Sequence, residues 1–254
     1  MEWALLFQQD RVVGFILLFI RFGALFMAVP IFAHTSIPVT VKAALAFFFT
    51  VVFYHSMPEL SIAITVPSLS VAILGELLFG LSVGLILLLS YNVVTFAGGQ
   101  ISFVMGFSMA SAIDPQNGVS MPIISQFLSL LALMVLFSLD MHHWILLYAE
   151  QSLSAIPLGG FLMTPSLFEY VVGAASRMFM VGFMIAFPII ALSWLADVIF
   201  GMLMKTMPQF NLLVIGFPIK IAVSFVVLIA TLASTVLILK GEMLGAFNAL
   251  ERLF

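Results

Sequence analysis

Residues 77–113 read LLFGLSVGLILLLSYNVVTFAGGQISFVMGFSMASAI, bounded by Glu76 and Asp114, without one formal charge between those two acids. An uncharged apolar run of 18 or more residues is the signature of a segment that spans a bilayer, and this one is about twice that length. The rest of the chain has the same texture. Only 7% of its 254 residues are Asp, Glu, Lys or Arg and 64% are apolar, with a mean hydropathy of +1.29. Soluble domains carry about 25% charged residues, so lipid and other protein must be the main surroundings of this chain.

Length and composition leave room for roughly six helices of about 20 residues and no sizeable aqueous domain. Apolar runs at 12–32, 41–57, 69–94, 123–148, 174–195 and 212–239 are too long for strands and predict an all-α integral membrane protein with about six long helices in hairpins. Prolines 30, 38, 58, 67, 157, 165 and 208 fall between the runs as breakers. Pro188 and Pro218 fall inside the last two and are expected to kink or break them. Between residues 95 and 122, a Gly98-Gly99 pair, Asp114-Pro115-Gln116-Asn117-Gly118 and Met121-Pro122 predict a long irregular connection. Its Phe103, Met105, Phe107, Met109, Ile113 and Met121 make it costly in water, so insertion into a cavity is expected. Residues 241–254 place Met243, Phe247, Leu250 and Phe254 on one helical face, suited to a membrane interface or a partner groove.

Charge excludes several functions. The net charge is −3 and the eight basic residues are scattered singly, so nucleic acid is not an expected partner. Cysteine is absent, which removes disulfides and thiolate chemistry. The start, with Glu2 and Asp10, reads as a retained terminus rather than a signal peptide. Lys and Arg divide evenly between alternate loops and assign no orientation.

Arg21, Glu76 and Asp197 lie within or at the edge of apolar runs, where an unpaired charge costs several kcal/mol. They are read as buried ion pairs, made with one another or with a partner subunit; an ion or proton path is the other reading. Gly80 and Gly84, like Ser102, Gly106 and Ala110, have the small-x-x-x-small spacing of closely packed helices. Asp140-Met141-His142-His143, with Glu150 beyond, puts carboxylate and imidazole on neighbouring turns. It has neither the His-Glu-x-x-His spacing nor a second cluster, so local bonding at a helix end is expected, with no metal, no cofactor and no catalytic residue. Sixteen methionines, three of them at 105, 109 and 121, suit a deformable apolar seal as well as a core.

Three stretches carry a resemblance: 106–121 with its Ser-x-x-Asp-Pro core, His142-His143-Trp144 leading to residues 152–157, and Met207-Pro208-Gln209-Phe210-Asn211 followed by Ile215-Gly216-Phe217-Pro218-Ile219-Lys220. Over essentially its full length the chain resembles the FliR family, the inner-membrane export-gate component of the bacterial flagellum, with counterparts SpaR and YscT in virulence secretion. The resemblance implies a subunit that joins FliP and FliQ around a pore passing unfolded flagellar proteins. Residues 1–166 then correspond to a FliP-like part and 167–254 to a FliQ-like hairpin with the amphipathic C-terminal helix. The family's plug loop matches 106–122. Met105, Phe107, Met109 and Met121 are the expected stopper contacts, Gly106, Asp114, Pro115 and Gly118 shape the loop, and Lys205, Gln209 and Asn211 contact FliQ or FlhB. The competing expectations are a virulence export subunit and a secondary small-solute transporter coupled through Glu76, Asp140, His142 and Asp197.

Overall fold

The computed structural model describes residues 9–33, 37–56, 60, 62, 64–107, 122–207 and 211–253. The described residues form helices and turns, with no strand among them. In chain order these are α1 (Gln9–Ala28), α2 (Pro30–Ala33), α3 (Val39–Phe53), α4 (Val66–Met105), α5 (Ile123–Ser138), α6 (Met141–Ala155), α7 (Pro165–Thr206) and α8 (Phe217–Leu253). All six apolar runs fall on helices. Four of these helices, α1, α4, α7 and α8, are long and apolar enough to cross a membrane. The run at 123–148 is a pair, α5 and α6, bent by 64°, and α3 is shorter at 15 residues.

The helix starts follow local chemistry. Before α4, the Thr65 N–H donates to Ser68 Oγ at 3.1 Å and Pro67 sits in the first turn, where its missing N–H is no loss. At α7, the Leu167 N–H reaches Thr164 Oγ1 at 3.3 Å and Pro165 opens the helix. Two proline expectations resolve differently. Pro188 lies inside α7, which continues through it as one 42-residue helix. Pro218 is the second residue of α8, just after a π-helical turn at Leu212–Gly216, so the run at 212–239 changes helix type where this proline stands.

The irregular connection begins later than the Gly98-Gly99 pair suggested, because α4 stays helical to Met105. Glycine costs a helix interior about 1 kcal/mol. Close packing offsets that here: a β-carbon on Gly98 would lie 2.6 Å from Ser125 Cα.

Packing divides the chain into two compact units: 1–89, 136–174 and 243–254 form the first, 90–135 and 175–242 the second. In the first, α1 and α4 approach so closely that a β-carbon on Gly84 would meet Ala28 Cβ at 2.1 Å, and one on Gly80 would meet Ala24 Cβ at 2.6 Å. Phe22, Phe26, Phe49 and Phe53 pack α1 against α3 with ring centroids 5.4–6.4 Å apart. Met243, Phe247 and Leu250 are buried, and Phe247 meets the Trp144 ring. This stripe, expected to face a membrane interface or a partner, is covered by the chain's own first unit, and it continues α8 without a break.

In the second unit, α7 and α8 pair antiparallel. Arg177 bonds Glu242, Ser193 Oγ lies 3.5 Å from Ser224 Oγ, and Lys220 bonds Asp197. The midpoints of all three pairs fall within a residue of one another, as a hairpin requires. Large apolar side chains such as Phe183, Phe187, Trp194, Val226 and Ile229 remain exposed on it.

Candidate functional site

Two antiparallel helix ends in the second unit form a stem at the base of residues 108–121. The end of α4 is closed by a left-handed glycine: Gly106 has φ 90°, its N–H donates to Phe103 O at 3.1 Å, and the Phe107 N–H donates to Ser102 O at 3.1 Å. This six-to-one, five-to-two pattern is a Schellman stop, which satisfies carbonyls that a helix end leaves orphaned. No other residue fits well at 106, since a β-carbon there would be strained and 3.0 Å from the Phe217 ring. Three bonds hold α5 against α4. The Ile124 N–H donates to Ser102 Oγ at 3.3 Å, Ser125 Oγ to Thr95 O at 2.9 Å and the Tyr91 hydroxyl to Ser129 O at 2.8 Å.

Of the expected plug residues, Met105 is wholly buried in the last turn of α4, and the Phe107 ring lies 6.5 Å from that of Phe225. Met109, Asp114, Pro115, Gly118 and Met121 lie outside the described residues, as does Gln209. Lys205 and Asn211 are both exposed on either side of the α7–α8 turn.

The first unit holds a fully buried charge clamp. Arg21 of α1 bonds both carboxylate oxygens of Glu76 on α4, Nε to Oε2 and Nη2 to Oε1, the latter at 3.0 Å. Its remaining donors reach Ser152 O at 3.3 Å and Ile156 O at 3.1 Å, and its guanidinium sits 4.7 Å from the centre of the Phe79 ring. Glu76 Oε1 also accepts the Gly159 N–H at 2.7 Å. Both charges are thereby paired and hydrogen-bonded, which a charge removed from water requires. Asp197 does not join them; its carboxylate accepts two 2.8 Å bonds from Lys220 Nζ within the hairpin. Lys220 as the partner of Asp197 is a finding of the structure, although a lysine inside the apolar run at 212–239 was the available signal.

At the α5–α6 bend, one oxygen of Asp140 and one ring nitrogen each of His142 and His143 lie within 4.8 Å of one another. Glu150 is not in that group.

Long apolar helices and a satisfied internal charge clamp define a membrane-embedded α-helical protein. Residues 12–246 match the family model for bacterial export proteins, family 1. The chain belongs to this family, the FliR family of export components. It is 35% identical over 237 residues to the flagellar biosynthetic protein FliR of Bacillus subtilis, covering 88% of each chain. It is 30% identical over 208 residues to FliR of Escherichia coli, covering 80% of this chain and 78% of the relative. Against FliR of Aquifex aeolicus it is 24% identical over 246 residues, 96% of this chain and 95% of the relative. These relatives are named as biosynthetic components rather than as enzymes.

Proposed function

We propose that this chain is a subunit of the flagellar type III export gate in the bacterial inner membrane, assembling with FliP and FliQ around a pore for unfolded flagellar proteins. The family match across residues 12–246 carries this reading. In it, residues 1–166 act as a FliP-like part and 167–254 as a FliQ-like hairpin, and the exposed apolar side chains of α7 and α8 meet neighbouring subunits or lipid. Large apolar side chains exposed together on a surface mark a protein or membrane contact.

Residues 106–122 serve as the stopper of that pore. The stem fixes where the segment leaves α4 and rejoins α5, while Phe107, Met109 and Met121 supply flexible apolar contacts. Met105 anchors the segment from the last turn of α4, with Gly106, Asp114, Pro115 and Gly118 shaping its course. Such a seal excludes hydrated ions yet deforms around a passing polypeptide. Lys205, Gln209 and Asn211 at the hairpin tip contact FliQ or the FlhB-like subunit.

Two measurements test this. Purification in mild detergent should recover the chain in a large hetero-oligomer with FliP and FliQ, and recovery alone or as a small homo-oligomer counts against the assembly. Deleting 106–118 in the assembled gate should raise ion conductance across the membrane, and an unchanged conductance counts against the stopper.

A further inference from the structure

The cluster at the α5–α6 bend is built from groups that the fold leaves unspent. Asp140 has φ 54° and ψ 26°, the left-handed region that Asp tolerates better than most residues, and this reversal turns α5 into α6. As the residue capping α6, it would ordinarily spend its carboxylate on a backbone N–H of the first turn. It makes no such side-chain bond. Its Oδ1 lies instead 3.5 Å from His143 Nδ1. His142 stacks beside His143 with ring centroids 4.1 Å apart and packs against Phe137 at 5.4 Å. Its Nδ1 is buried with no hydrogen-bond partner among the described residues. An orphaned buried ring nitrogen is costly, and a bound ligand would relieve it.

We propose that Asp140, His142 and His143 hold a first-row divalent cation of the zinc type, which staples the bend between α5 and α6. By sequence spacing alone the motif supplies too few ligands for a metal. The structure changes that by gathering a carboxylate and two imidazoles within 4.8 Å. Metal–ligand bonds of about 2.0–2.2 Å place neighbouring ligands about 3.0–3.5 Å apart, so the Asp140–His143 edge needs almost no movement. His142 needs only a side-chain adjustment. Imidazole with carboxylate suits zinc, cobalt or nickel, whereas calcium and magnesium prefer all-oxygen sites. The fourth position falls to water. One electrostatic feature opposes the cation: the N-terminal end of α6 is partially positive. The Asp140 carboxylate offsets this, which makes it the ligand whose loss should matter most.

The site is tested on the full chain, purified in detergent with an affinity tag that lacks histidine, and titrated with zinc or cobalt. One equivalent of zinc is expected to remain bound after desalting, and cobalt should give a visible d–d band that zinc removes. Asp140→Asn and the paired change His142→Ala with His143→Ala should each weaken zinc binding by at least about tenfold. His55→Ala, at an exposed histidine in the short turn at Tyr54–Ser56, should leave it unchanged. Zinc retained equally by the Asp140 and His variants overturns the site. So does the absence of both retained zinc and a cobalt band in the unaltered chain, a readout that stands even where a variant fails to fold.

Discussion

The first unit and the α7–α8 hairpin both contain ion pairs, and they use them differently. Arg21 and Glu76 are 1% and 0% exposed, and the guanidinium is engaged by Glu76, by the carbonyls of Ser152 and Ile156 and by the Phe79 face. In the hairpin each pair has one covered and one open member: Lys220 is 8% and Asp197 53% exposed, while Glu242 is 12% and Arg177 68% exposed. The first arrangement ties α1, α4 and the end of α6 together. The second brackets a charge-free band. Residues 178–196, between Arg177 and Asp197, and 221–239, between Lys220 and Lys240, are each 19 long and without a charge. At 1.5 Å per residue that is about 28 Å, close to the roughly 30 Å hydrocarbon thickness of a bilayer. One set of charges therefore locks an interior, and the other marks where the apolar band ends.

That contrast breaks most sharply at the clamp. Removing one member of a buried pair leaves an uncompensated charge and costs about 3–5 kcal/mol, whereas replacing both by apolar residues of similar volume is often close to neutral. Glu76→Ala should thus lower the unfolding midpoint in detergent far more than the double change Arg21→Met with Glu76→Leu. If the single and double variants are equally destabilised, the pair is not the lock described here. An ion path through Glu76 predicts instead that both changes abolish export, the double one although it is well folded.

The hairpin pair nearer the turn sharpens the comparison with a smaller effect. Asp197→Ala strands a covered lysine, while Lys220→Met leaves an aspartate that water can reach. Hydrogen bonds to charged groups contribute about 1.5–3 kcal/mol, so Asp197→Ala should destabilise by about that much. Lys220→Met should cost clearly less, because the methionine keeps the apolar stem that α7 and α8 pack upon. Thermal unfolding of the two variants, compared side by side, decides it; equal losses would mean that the coverage of Lys220 has no energetic weight.

Much of this was legible from residue types. Runs of apolar residues located every long helix, since only a helix satisfies its backbone without water. Arg21 and Glu76 stood out because a charge in such a run is costly. What the sequence hid depended on contacts between distant positions. Gly98-Gly99 reads as a breaker, and only Ser125, 27 residues on, explains why α4 runs through it. The C-terminal stripe of Met243, Phe247 and Leu250 has the same periodicity whether it faces lipid or its own chain; Trp144 decides the matter. Asp140 and His143, three residues apart, are neighbours by spacing alone, whereas the left-handed aspartate that turns α5 into α6 has no signature in the spacing.

The smallest effect is expected at the other end of the bracketed band. Arg177 donates three bonds to Glu242, at 2.8–3.1 Å, but its side chain is mostly exposed. Exposed pairs contribute about 0–1 kcal/mol and weaken with salt. Arg177→Gln should therefore shift the unfolding midpoint little, and the shift should shrink further in high salt. A bracket has a second property that a lock lacks: it should set depth. Moving the charge inward by about one turn onto an exposed position, as in Arg177→Gln with Met180→Arg, should shorten the apolar band by about 4.5 Å, at 1.5 Å per residue, and favour thinner bilayers. Reconstitution into vesicles of graded acyl length reads that preference directly. A variant that keeps the unaltered chain's preference would show that the pair is only a surface contact, and that the length of the band is set elsewhere on the hairpin.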